Sequence, residues 1–125
     1  MSSSPKRPTT TIIGRTAEDV AAGALVSAGF DILWRNRRLG PLELDIVAQQ
    51  GELVAIVEVR FRGEGAFDGP LESMTLQKQR RLLRAARELW RRELRQRRDV
   101  RRVRIDVIAV TGDSVEWIKG AVTAD

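Results

Sequence analysis

Between Leu42 and Arg62 the chain writes two apolar strands, and each carries charge on one side of an otherwise buried ribbon. Alternate residues of a strand face the same way. Glu43 and Asp45 therefore share one side, as do Glu58 and Arg60. Glu58 follows directly on Leu53-Val54-Ala55-Ile56-Val57, and Val54 and Ile56 share its face, which sets it apart from the polar outer face of an ordinary amphipathic hairpin. Burying charge is costly unless it is paired or bound to a metal. A chain with this pattern must bring partners to its acids.

The turn sets the geometry. A two- or four-residue turn around Gln50-Gly51, within the turn-like Gln49-Gln50-Gly51-Glu52, pairs Asp45 with Ile56 and Glu43 with Glu58. Asp45 and Glu58 then become diagonal neighbours on one face, roughly 7 Å or less apart at Cβ. Two carboxylates at that spacing repel each other and can share a divalent ion. A three-residue turn would put them on opposite faces. The chain has no histidine and no cysteine, so imidazole and thiolate ligands, Ser-His-Asp triads and disulfides are excluded. An all-oxygen site favours Mg²⁺ or Mn²⁺.

Around this hairpin, Thr16-Ala17-Glu18-Asp19 predicts a capping box. The helix it opens carries Ala17, Val20, Ala21, Ala24, Leu25 and Ala28 on one stripe and ends at Gly29. Strands are expected over 30–35, 42–48, 53–62, 103–110 and 115–118, with a turn at Thr111-Gly112-Asp113-Ser114. A glycine-rich loop, 63–70, holds Glu64 and Asp68 but no phosphate-loop fingerprint. A long helix is expected from about Thr75 to about Arg97, with Leu82, Leu83, Ala86, Leu89, Trp90 and Leu94 inward. The order α-β-β-β-α-β-β predicts an α/β fold, a mixed sheet with helices packed on it. Residues 1–13 read as a disordered tail and 14–125 as one domain. No apolar run approaches a membrane span and no secretory signal is visible, so a cytoplasmic location is the default.

Charge is unevenly spread. The chain has 22 basic and 17 acidic residues, yet Lys78 to Arg104 alone holds 13 basic and three acidic ones. Nineteen of the basic residues are arginine, whose planar fork suits phosphate oxygens. Arg80, Arg84, Arg87 and Arg91 fall on the helix side away from Leu82, Ala86 and Leu89. This segment is a candidate polyanion surface, with DNA as the expected partner. Asp106, in Ile105-Asp106-Val107, reads as the partner of Arg104, and Trp34, Trp90 and Trp117 as packing residues.

Glu18 in the first helix, Ala28-Gly29-Phe30, Arg35-Asn36, Glu43-Leu44-Asp45, Val57-Glu58-Val59-Arg60, Lys78 and Arg104-Ile105-Asp106-Val107 occur here in an order that resembles a known family. The pattern is that of the PD-(D/E)XK nuclease superfamily. More narrowly it resembles the YraN family of small endonuclease-like proteins, from about Gly14 to about Val122. The resemblance implies a restriction-endonuclease-like core and a Mg²⁺-dependent nuclease acting on DNA, with branched or single-stranded forms among its candidate substrates. It implies Asp45 and Glu58 as metal ligands, with Glu18 and the Val59 carbonyl as further ligands. Two departures stand out. The superfamily's Glu-x-Lys ends here in Arg60, and Pro41-Leu42 replaces the glycine before the acid pair. Arginine stays protonated and cannot act as a base, but it can stabilise a phosphorane. Lys78 is the candidate substitute for the missing lysine. The competing reading is a nuclease fold with a decayed site that holds nucleic acid without cutting it. An exposed sheet edge leaves room for a homodimer.

Overall fold

The computed structural model describes residues 16–63 and 74–123. The expected tail and most of the glycine-rich loop, with Glu64 and Asp68, lie outside these. The described elements are α1 (Ala17–Ser27), β1 (Asp31–Leu39), β2 (Leu42–Gln50), β3 (Leu53–Phe61), α2 (Leu76–Leu89), a π turn (Trp90–Leu94), β4 (Arg102–Thr111) and β5 (Ser114–Val122). Their order is the one the sequence predicts.

Both ends of α1 follow local chemistry. The Asp19 N–H donates to Thr16 Oγ1 at 3.0 Å while the Thr16 N–H reaches back to Asp19 Oδ2 at 3.4 Å, a complete capping box. Such a cap is worth about 1 kcal/mol. At the other end the Phe30 N–H returns to the Leu25 carbonyl and the Gly29 N–H to that of Val26. This closing pattern needs a left-handed residue, which Gly29 supplies with φ +95°.

The five strands form one sheet in the order β1-β2-β3-β4-β5, antiparallel except for the parallel pair β3–β4. α2 and the segment around it make the crossover between those two strands. The helices lie on opposite faces. α1 sets Val20, Ala21 and Leu25 against Ile46, Ala55, Val57, Ile108 and Val110. α2 sets Leu82, Ala85, Ala86 and Leu89 against Val47, Val54, Ile56, Ile105 and Val107. Covered on both faces, β3 is buried from Leu53 to Glu58.

Three expectations need correction. Gln49 and Gln50 belong to β2, and the turn is Gly51-Glu52, so the hairpin pairs Gln50 with Leu53 and Ile46 with Val57. The register is shifted by two residues from the expected one. Gln49 can be a strand residue because distant groups satisfy its buried amide. Its Nε2 donates to the Gly51 carbonyl at 2.9 Å and to Asp99 Oδ2 at 3.1 Å, while Arg97 donates to its Oε1 at 2.9 Å. A two-residue shift preserves the face of every side chain, so Asp45 and Glu58 stay together.

Trp90 does not point inward. It is 37% exposed, while Leu89 and Leu94 are fully buried. Five residues separate those leucines, too many for one stripe of an α-helix. The π turn, with the Arg95 N–H bonded to the Trp90 carbonyl at 3.0 Å, absorbs the extra residue and brings Leu94 back to the core. The expected α-helix therefore ends at Leu89. The strands also run longer than their apolar cores suggested: β1 continues through Arg35-Asn36-Arg37-Arg38 to Leu39, and β5 through Lys119-Gly120 to Val122. Each borrows its ladder from a stronger neighbour.

Candidate metal centre and its basic surround

The β2–β3 ladder stops at Ile46–Val57, and there a side chain takes over. The Val59 N–H donates to Asp45 Oδ2 at 2.9 Å. Extended by one step, the same register sets Asp45 across from Glu58, closer than the diagonal relation expected. Glu58 is only 5% exposed and Asp45 is half-buried. Burial pushes the Asp45 carboxyl up to about 6 against the opposing Val59 hydrogen bond. The Glu58 and Glu18 charges raise it further, and Lys78 opposes them. The pair holds more negative charge than its dry surroundings favour.

Cations answer that charge from two directions. Lys78 Nζ lies 3.1 Å from Glu58 Oε2, and Arg60 Nη1 lies 3.7 Å from the same oxygen. Lys78 stands in the first turn of α2, where its N–H donates to the capping Thr75 Oγ1 at 3.1 Å. That cap fixes where the helix starts and so where the ammonium enters the site. The acids open on a cavity of about 250 Å³ whose polar lining is Arg38, Glu43, Asp45, Glu58, Lys78 and Arg81.

Glu18 sits to one side of this group. Arg35 donates to its Oε1 through Nη2 at 2.7 Å and Nε at 3.2 Å, and Asn36 Nδ2 does so at 3.3 Å. The Arg35 guanidinium also bonds Asp19 at 2.6 Å and holds that carboxyl below its usual range. Asn36 takes a left-handed φ of 55°, a conformation asparagine tolerates better than most residues. Among the described residues no three acids stand close enough together to hold a metal. Asp45, Glu58, Arg60 and Lys78 are thus brought together. Glu18 acts on Asp45 through its charge, and Val59 meets Asp45 through its N–H.

The outer side of α2 carries Arg80, Arg84 and Arg87, and Arg91 follows in the π turn, all exposed as the helical spacing predicts. Arg91 is paired with Glu88. Lys78 belongs to the cavity rather than to this ridge. Two cavity residues escaped the sequence reading. Arg81 lies three residues beyond Lys78, on the same side of a helix, and that spacing could have found it. Arg38 lies across from Glu43 in the β1–β2 register, which sequence alone does not reveal. Asp106 is fully buried and bound by four donors: Arg104 Nε (2.8 Å) and Nη2 (2.9 Å), Trp117 Nε1 (3.0 Å) and the Gly120 N–H (2.9 Å). It is a structural anchor, as its sequence context suggested.

A family model described as uncharacterised protein family UPF0102 matches residues 17–110. The chain is 41% identical over 114 residues to a UPF0102 protein of Sorangium cellulosum, covering 87% of this chain and 79% of that one. It is 41% identical over 118 residues to one of Desulforapulum autotrophicum, covering 90% and 94%. It is also 37% identical over 120 residues to UPF0102 protein YraN of Escherichia coli O139:H28, covering 96% and 91%.

Proposed function

The chain belongs to the uncharacterised protein family UPF0102, the YraN family, and we propose that it is a Mg²⁺- or Mn²⁺-dependent nuclease that hydrolyses DNA phosphodiesters. The observation that carries this reading is the meeting of Asp45, Glu58 and the Lys78 ammonium on one polar cavity. Two carboxylates with room for phosphate oxygens and water are the usual protein share of a Mg²⁺ site. A carboxyl raised to about 6 beside a second acid is what a hard cation would relieve. The residues fit such an ion. Asp45 and Glu58 would hold it, and Glu18 could join only by leaving Arg35. The bound cation would supply Lewis-acid polarisation of the phosphate and a more acidic water.

The chain's own groups do the rest. Val59 holds the Asp45 carboxylate in place through its N–H. Lys78 brings to Glu58 the amine that the superfamily pattern places two residues after the glutamate, where this chain has Arg60. From there it can orient a water and neutralise the phosphorane, and Arg60 adds fixed positive charge. Arg38 and Arg81 line the cavity mouth, where the phosphates on either side of the scissile bond would pass.

A second reading rests on the same contacts. Lys78 and Arg60 both face Glu58 and could stand in for an ion in a decayed site that binds nucleic acid without cutting it. One experiment separates the two. Linear, single-stranded and branched DNAs are incubated with wild type, Asp45→Asn and Glu58→Gln under Mg²⁺ or Mn²⁺. Cutting by wild type alone supports the nuclease. DNA binding without cleavage under either metal rejects it in favour of the binding module.

A further inference from the structure

On the far side of α2 from the acid cavity, a second cleft opens between the helix, the π turn and strands β4 and β5, with a volume of about 530 Å³. This lies within the usual range of about 300–1,000 Å³ for clefts that take small ligands or single groups. Its floor is apolar, built from Leu83, Val103, Ile105 and Val122, and its rim carries Arg87, Arg101 and Trp90. No acid lines it. Trp90 is held partly exposed at this rim because the π turn starts there and sends Leu94, not the indole, into the core.

The rim arginines are available. Arg87 is exposed and makes no ion pair among the described residues. The Arg101 side chain has a 3.6 Å ion pair with Glu52, with both side chains largely in solvent, where such pairs are worth little. Arg104, by contrast, is committed to Asp106. A flat π-face above an apolar floor, flanked by guanidinium groups, is how proteins hold an unpaired base and its phosphates. We propose that this cleft is a base-stacking subsite for single-stranded nucleic acid, with a base on Trp90 and the flanking phosphates on Arg87 and Arg101. The proposal rests on the nuclease reading for its direction. From Lys78 to Trp90 is twelve residues of helix, about 18 Å at 1.5 Å per residue. The exposed Arg80 and Arg84 lie between. A strand leaving the acid cavity would cross α2 on that ridge and seat a base a few nucleotides away.

The test uses the full chain and dT12, read by quenching of tryptophan fluorescence and by anisotropy of labelled dT12. Wild type is expected to bind with quenching. Trp90→Ala weakens dT12 binding roughly tenfold or more, while Trp90→Phe, which keeps a π-face, retains most of the affinity. Arg101→Gln weakens binding in the same direction. Unaltered dT12 affinity in Trp90→Ala and Arg101→Gln overturns the subsite. So does quenching at Trp90 by poly-L-glutamate but not by dT12, which would assign the cleft to an acidic protein chain. A Trp90→Ala protein that fails to fold leaves Trp90→Phe and Arg101→Gln to decide. Cleavage under Mn²⁺ is scored in parallel. Trp90-dependent dT12 binding without cleavage keeps the subsite and removes the nuclease reading, and cleavage with Trp90-independent binding does the reverse.

Discussion

Asp45→Asn should make the metal-free protein more stable at pH 8 and leave it nearly unchanged near pH 4. The Asp45 carboxyl is raised from 3.8 to about 6, chiefly by burial. Because its folded value lies above its unfolded one, the native state binds the extra proton between these limits. Stability then falls as pH rises from about 4 to about 6, and the loss persists above that window. At 1.36 kcal/mol per unit the ceiling on the loss is about 3 kcal/mol. Partial solvent exposure reduces it. The Val59 hydrogen bond is already counted in the raised carboxyl value, and asparagine, like the protonated acid, still accepts from it. The net gain at pH 8 is about 1–2 kcal/mol, or roughly 4–8 °C in Tm for a domain of this size. Circular-dichroism melts from pH 4 to 8 in EDTA read this directly. Saturating Mn²⁺ should then stabilise wild type, by about 2.7 kcal/mol at a hundred times Kd, and not the mutant. A mutant no more stable than wild type at pH 8, or a difference that does not shrink toward pH 4, would refute the argument from burial.

Lys78→Met removes the nearer cation from Glu58 and leaves Arg60 at 3.7 Å. Cleavage should drop while Mn²⁺ affinity by calorimetry holds or tightens, and Arg60→Lys should keep or raise activity. A Lys78→Met protein that cuts like its parent takes Lys78 out of the chemistry. Asp106→Ala strands four donors in the interior, and urea unfolding should show a loss of about 3–5 kcal/mol. A loss below about 1 kcal/mol would mean that water replaces the carboxylate there.

Much of this architecture is local and therefore legible. Thr16 and Asp19 cap α1 because four adjacent residues suffice, and Gly29 closes it for the same reason. The facing of Asp45 and Glu58 survives a two-residue register error because strand side chains alternate with period two. What was hidden depends on distant partners. Gln49 looks like a turn residue until Arg97 and Asp99 arrive from the segment between the π turn and β4 to satisfy its amide. Trp90 fits the inward stripe of an ideal helix, and the five-residue step from Leu89 to Leu94 was the unread sign of a π turn. Lys78 was a candidate for phosphate contact by its charge, and for the acid site on resemblance alone. Its approach to Glu58 depends on how the chain returns after β3, which no spacing rule gives.

The parallel pairing of β3 with β4 has a consequence for how the chain is made. Emerging from the ribosome in order, β1, β2 and β3 can pair as hairpins, but the second edge of β3 finds no partner until β4 appears. In the interval the most apolar strand of the protein, Leu53 to Val57, presents an open row of peptide groups of the kind that recruits neighbouring chains. The next described element to emerge is α2, dense in arginine and with no acid in its first turn. Like charge beside an exposed apolar strand keeps nascent chains apart. On that ground the arginine ridge would also shield the unfinished sheet during synthesis.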